Sequence, residues 1–287
     1  MVIGTIFQAN LNADKIYIDL TYLPDPIKHK FWLTIKNQSV TALYFKVISN
    51  IANWTVTDPT DGKLGSVAGG SETTFAVTMT RANPGVETVD SGTLVIEAYT
   101  DSGYTNKVAE DSLSVTVYIE DLEAWPDVQK FDFEDGSDQG WSGGTVTNEV
   151  SVEVGGYSYR SAENPGSAAE KTISRSITLP NRNNVRLSFF LALKNRSTGA
   201  PTLTAYLEGL RITIDDIEVF NIPIRMITAS APAYSTGYSS LWIKVALDLS
   251  SYKGQTKTVN IIPKLAGETA AAYASAIFDR IVVAGKD

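Results

Sequence analysis

Apolar and polar positions alternate along this chain in short runs, and turn-forming residues interrupt the runs at close intervals. In the first half the runs are Lys15–Leu20, Lys30–Asn37, Leu43–Ser49, Thr73–Thr80, Gly92–Tyr99 and Ser112–Ile119. Between them lie Pro24-Asp25-Pro26, Asp58-Pro59-Thr60-Asp61-Gly62, Ala68-Gly69-Gly70-Ser71, Asn83-Pro84-Gly85 and Thr100-Asp101-Ser102-Gly103. A period of two bounded by Gly, Pro, Asn and Asp is the pattern of half-buried strands joined by turns.

The second half repeats the pattern after Gly140-Trp141 and a Gly-rich turn. Its strands are predicted at Glu149–Val154, Lys171–Leu179, Val185–Leu193, Leu203–Glu208, Leu210–Ile214, Glu218–Phe220, Leu241–Asp248, Thr258–Lys264 and Ala276–Val283. Segments with a helical period are nearly absent; Gly267–Ala274 has room for one turn at most. The chain therefore reads as all-β, with two β-sandwich domains. Residues 1–122 have the strand number and spacing of an Ig-like sandwich, the acidic and Pro-punctuated residues 123–130 read as a linker, and residues 131–287 read as a jelly roll.

Composition agrees with two domains. The chain has 287 residues, 43% of them hydrophobic and 20% charged, enough to bury a core in each half. Net charge is −8 and unevenly spread: residues 1–125 hold 15 acids and 8 bases, residues 126–287 hold 17 and 16. Arg81 is the sole arginine of the first part, while eight follow it. An acidic half beside a near-neutral one argues against nucleic-acid binding by phosphate neutralisation. Cysteine is absent, which removes disulfides, thiolate metal sites and Cys nucleophiles. No run approaches a membrane-spanning length, so no membrane insertion is expected. The opening Met1–Gln8 lacks the pattern of a signal peptide. That leaves two readings: a signal removed upstream, or a protein that needs none, as a virion component would.

Catalysis finds little to work with. The one histidine, His29, has no G-x-S-x-G partner context and reads as a surface or edge-strand residue. Glu134-Asp135 and Asp215-Asp216 are the obvious paired carboxylates, but Asp215-Asp216 fits a hairpin turn better than a hydrolase pair. Sugar binding, in contrast, needs aromatic faces and planar polar groups. Tyr157 and Tyr159 in Gly155–Arg160, and Tyr234 and Tyr238 in Ala233–Tyr238, look like loop aromatics and are the candidate ligand-binding residues. Trp54, Trp141 and Trp242 read as core. Asn37-Gln38-Ser39, Asn53-Trp54-Thr55 and Asn195-Arg196-Ser197 are sequons for N-glycans.

Two resemblances add to this. Asn53-Trp54-Thr55-Val56, Thr74–Thr78 and Ser91–Ile96 resemble Ig-like modules of the BACON type, which serve as spacers or adhesion units. Phe133-Glu134-Asp135-Gly136 followed by Trp141, then Val185–Phe190, Trp242–Gln255 and Ile277–Val283, resemble galactose-binding-like jelly rolls of carbohydrate-binding modules and MAM domains. That likeness implies a structural calcium held by Glu134 and Asp279, with Arg280 where the family commonly has a second Asp. The expectation is a non-catalytic protein, carbohydrate-binding and adhesive, on an extracellular or virion surface. The alternative is a purely structural virion component. The partners implied are glycans or neighbouring protein subunits, a homo-oligomer included.

Overall fold

The computed structural model describes residues 6–11, 14–20, 25–148, 156–197, 205–222, 226–227, 238–239, 242–267 and 272–287. The chain divides into two compact units, residues 1–121 and 122–287. Both are two-sheet β-sandwiches, so the all-β class read from the sequence is the class observed.

Unit 1 contains β1 (Phe7–Leu11), β2 (Lys15–Asp19), β3 (Ile27–Asn37), β4 (Leu43–Ser49) and β5 (Thr55–Asp58). It continues with β6 (Lys63–Val67), β7 (Glu72–Arg81), β8 (Thr88–Tyr99) and β9 (Lys107–Glu120). One sheet has the order β1-β3-β7-β5 and the other β2-β9-β8-β4-β6, with β2 parallel to β9. In β3 the odd positions Ile27, Phe31, Leu33 and Ile35 face inward, where they meet Phe45, Val47, Leu94, Ile96 and Val117 from the other sheet. Each such side chain contributes about 2 kcal/mol on burial. Phe7 and Phe45 join the sheets edge to face, with centroids 5.2 Å apart.

His29 occupies an inward-parity position of β3, between Ile27 and Phe31, and is half-buried where β3 pairs with β7 alone among the described strands, so of the two expected settings the edge strand fits and the exposed surface does not. Desolvation there pushes its pKa down to about 4. Trp54 is core as expected. Its indole Nε1 donates to Asp90 Oδ2 at 2.9 Å, and Arg81 pairs with the same carboxylate. Of the sequons, Asn37 is fully buried and spends both amide hydrogens, on the carbonyls of Thr41 and Val67. Asn195 is buried too, whereas Asn53 is exposed on a turn with φ 65°.

Unit 2 opens with β10 (Asp127–Phe131), β11 (Gly144–Thr147), β12 (Ser158–Ser161), β13 (Asn164–Pro165), β14 (Ala169–Glu170) and β15 (Ile173–Thr178). Next come β16 (Asn184–Ser197), β17 (Ala205–Ile214), β18 (Ile217–Ile222), β19 (Met226–Ile227) and β20 (Tyr238–Ser239). It closes with β21 (Ile243–Asp248), β22 (Thr256–Gly267) and β23 (Ala272–Lys286). One sheet runs β11-β12-β23-β16-β20, with β10 and β13 also on β23 and β21 on β16. The other runs β14-β22-β17-β18, with β15 on β22 and β19 on β17. Strands β16 and β23 are central, and their described side chains are buried almost without interruption, the signature of strands covered on both faces.

Residues 123–130 are not a linker. Leu122–Ala124 makes a 3₁₀ turn, and β10 pairs with β23 from Asp127↔Gly285 to Phe131↔Ile281. Leu122 and Trp125 pack on Val282 and Ala284, and Glu123 pairs with Arg280. The acids Glu123 and Asp127 that suggest a solvated connector are thus paired within the second sandwich itself, with Arg280 and Arg182. Asp215-Asp216 forms the two-residue turn expected between β17 and β18, both at positive φ. The expected strands Leu203–Glu208 and Leu210–Ile214 are one strand, β17, with a register shift between Leu207 and Gly209. The expected Glu149–Val154 lies outside the described residues. Trp242, read as core, is half-buried, meeting Phe190 edge to face.

Candidate functional site

The candidate site grows from the segment leaving β10. Between Phe131 and Trp141 the backbone takes positive φ at Phe133, Gly136, Gln139 and Gly140, so the chain folds back on itself repeatedly. Short polar side chains hold these turns. The Ser137 N–H and hydroxyl both donate to Asp135 Oδ1, at 2.9 and 2.8 Å, and the Gly140 N–H donates to Asp138 Oδ1 at 2.9 Å. Gln139 Nε2 reaches Asp132 Oδ1 and Asp135 Oδ1, each at 3.4 Å. Donation from the Ser137 backbone N–H, then from its hydroxyl, holds the Asp135 carboxyl below the usual range, so it stays ionised.

Tyr157 and Glu134 meet beside this turn. The Tyr157 N–H donates to Glu134 Oε1 at 3.2 Å, and the ring edge stands 4.0 Å from where a Gly136 Cβ would be. Gly156 is constrained here: a Cβ on it would lie 2.4 Å from Glu134 Oε1. Tyr157 is 36% exposed, so its ring is available to solvent.

Tyr159 is different and corrects the sequence reading. It is 1% exposed, stacked on Phe133 with centroids 5.3 Å apart. Its hydroxyl donates to the Trp141 carbonyl and accepts from the Gly144 N–H, both at 3.1 Å. Two residues apart on one chain, Tyr157 precedes β12 and Tyr159 sits within it, facing the core. Tyr234 lies outside the described residues. Tyr238 pairs with Asn195 in β20, and its side chain lies outside the described residues.

The two acids expected to hold calcium stand in unlike settings. Glu134 is exposed on the turn, while Asp279 is fully buried in β23 and accepts the Arg280 N–H at 2.7 Å. Among the described residues no group of three or more His, Asp or Glu side chains is placed to hold a metal. Calcium needs six to eight oxygens, which the expectation drew from these two acids together with backbone carbonyls. Arg280 pairs with Glu123 and not with Glu134.

Sequence reasoning missed Gln139 and Arg175. The Arg175 guanidinium lies over the Phe131 ring at 4.2 Å, in the space left by the missing side chain of Gly140. Trp141 packs edge to face on the same ring, 5.9 Å between centroids. The signal available was Gly140 directly before Trp141, which clears room for a large neighbour that only the fold identifies.

No protein-family model matches the chain, and the curated proteins give no match either. Among solved structures it is similar to the CBM22-1 xylan-binding domain of Paenibacillus barcinonensis Xyn10C, at 16% identity and TM-score 0.33, over 56% of this chain and 96% of that one. A carbohydrate-binding module, CBM28, described as specific for non-crystalline cellulose, is similar at 13% identity and TM-score 0.33, over 54% of this chain and 92% of that one. The secreted serine protease VesC of Vibrio cholerae is similar at 11% identity and TM-score 0.23 over 98% of this chain, which spans 51% of the protease's length. At these identities and TM-scores the likenesses assign no activity or ligand to this chain.

Proposed function

We propose that this chain is a non-catalytic binding protein whose second unit holds a carbohydrate against Tyr157 and the Phe133–Gly140 turn. The observation that supports this best is the exposed Tyr157 ring beside Gly136, flanked by carboxylates and an amide already fixed in place by hydrogen bonds. A pyranose offers an apolar face for such a ring and hydroxyls for planar acceptors. Groups fixed before binding lose little entropy when a ligand arrives.

The remaining chemistry fits binding better than turnover. The one histidine is desolvated on the core face of unit 1. Asp215 is tied to the Thr258 N–H and to Lys257 Nζ, both at 2.8 Å. Asp135 is committed to its own turn. A glycan array probed with the full chain tests the proposal, with xylan, cellulose and β-1,4-galactan oligosaccharides included. Binding to a defined glycan that Tyr157→Ala abolishes is the expected result. Silence across the array, or an unchanged Tyr157→Ala profile, overturns it.

A further inference from the structure

Three polar atoms near Phe131 are sealed from solvent yet have no hydrogen-bond partner among the described residues: Trp141 Nε1, Arg175 Nη1 and Gln139 Oε1. Leaving a buried polar group unpaired carries a cost of the same order as a hydrogen bond, so one such atom calls for explanation and three at one corner point to a common cause. They do share a corner. Arg175 and Trp141 both pack on the Phe131 ring, Arg175 lies against Gly140, and Gln139 and Trp141 flank Gly140 in sequence. Trp141 is 2% exposed, while Gly140 is exposed and Gln139 and Arg175 are half-buried, so the corner lies just beneath the surface and a ligand reaches the three sealed atoms only as the Gln139 or Arg175 side chain shifts.

The chemistry of the three atoms specifies what would satisfy them. Two are donors and one is an acceptor. Acidic groups surround them: Asp132 and Asp135 contact Gln139, and Asp138 acts electrostatically on Arg175. A carboxylate or sulfate would be repelled there, and a cation would meet the two donors. A neutral hydroxyl both accepts and donates, and it suffers from neither difficulty.

We propose that Gln139, Trp141 and Arg175 form a recognition subsite for a hydroxyl group of a neutral saccharide, at the end of the Phe133–Gly140 turn beside which Tyr157 stands. This rests on the carbohydrate-binding reading above and names the part of the site that reads hydroxyl position, while Tyr157 supplies the ring face. A water molecule has the same hydrogen-bonding capacity, so the experiment separates the two.

The indole N–H resonances of the ¹⁵N-labelled full chain are followed while xylotetraose, cellotetraose or β-1,4-galactotriose is added, with Trp141→Phe used to assign Trp141. One of the saccharides is expected to shift the Trp141 signal, and Trp141→Phe to weaken its binding about tenfold, the loss of one well-placed hydrogen bond. Arg175→Met removes the donor together with the guanidinium contact on Phe131 and should weaken binding similarly; a cooperative thermal transition in this variant shows that it folds, which guards against misfolding of the Trp variant. If no saccharide moves the Trp141 signal, the corner holds water only and the subsite is overturned. If Tyr157→Ala abolishes binding while both corner variants bind as the native chain does, the subsite fails and the carbohydrate reading stands. If the corner variants weaken binding and Tyr157→Ala does not, the subsite stands and the placement on Tyr157 fails.

Discussion

Arg280 Nη2 lies 2.5 Å from Glu123 Oε1, with the arginine side chain 4% exposed. The guanidinium reaches this position because Arg280 takes a positive φ of 46° at a bulge. Ser188 pairs with Val282 and Phe190 with Asp279, so β23 carries one residue more than β16 across that interval. The bulge turns an arginine in the middle of a covered strand toward the segment that precedes β10. Removing the acid leaves a desolvated cation without this partner. Glu123→Gln is therefore expected to destabilise unit 2 by about 2–3 kcal/mol, read as a lower urea midpoint for its transition.

The same geometry sets where unit 2 begins. A fragment of residues 122–287 is expected to fold cooperatively. One of residues 131–287, cut where the sequence pattern suggests, loses β10 and the Trp125 contact with Val282 and Ala284. It should give a broad or absent thermal transition, and a sharp native-like transition would contradict the assignment of residues 122–130 to this unit.

In unit 1, Asp90 receives the Trp54 indole and the Arg81 guanidinium while 6% exposed. Asp90→Ala strands both donors and is expected to cost about 3 kcal/mol. Asp90→Asn, which keeps one acceptor oxygen, should cost less. Chemical denaturation of the two variants checks the order.

His29 gives unit 1 a pH dependence of definite sign. Its folded pKa is lowered to about 4, so the folded unit stays unprotonated where the unfolded chain, near 6.5, takes up a proton. Its contribution is fully present above about pH 6.5 and is lost as pH falls from there toward 4. His29→Gln should flatten this part of the profile, narrowing a difference of about 2 kcal/mol between pH 7 and 4.5.

Gly156→Ala probes the site without touching the core. The added Cβ would stand 2.4 Å from Glu134 Oε1, so that carboxylate must move and the Tyr157 N–H loses its acceptor. Glycan affinity is expected to fall several-fold with a small change in Tm; equal affinity would show that the Glu134–Tyr157 pairing does not shape the site.

Much of this fold was legible in the pattern of positions. Long alternating strands such as β3 and β8 announce themselves, and Asp215-Asp216 marks its hairpin through residues that tolerate positive φ. Short edge strands did not. β5 spans Thr55–Asp58 and carries no buried side chain, so no apolar period betrays it. The acid-rich start of unit 2 was misread because Glu123 looks solvated until Arg280, 157 positions further along the chain, is brought to it. The site was half legible: Tyr157 could be picked out as a loop aromatic, but its neighbour Tyr159 has the same local sequence character and a buried fate. Arg175 had no local signal at all, since its place over Phe131 depends on a packing between strands distant in sequence.

The last strand, β23, is also the middle one, lying between β16 on one side and β10, β12 and β13 on the other. Everything that must flank it is synthesised before it. During translation the earlier strands of this sheet have a gap where their common neighbour belongs, and the second sandwich cannot close until residues 272–286 have left the ribosome. Unit 1 has its nine described strands by residue 120 and is under no such delay. The two halves should therefore acquire protease resistance at different moments of synthesis, the acidic one first.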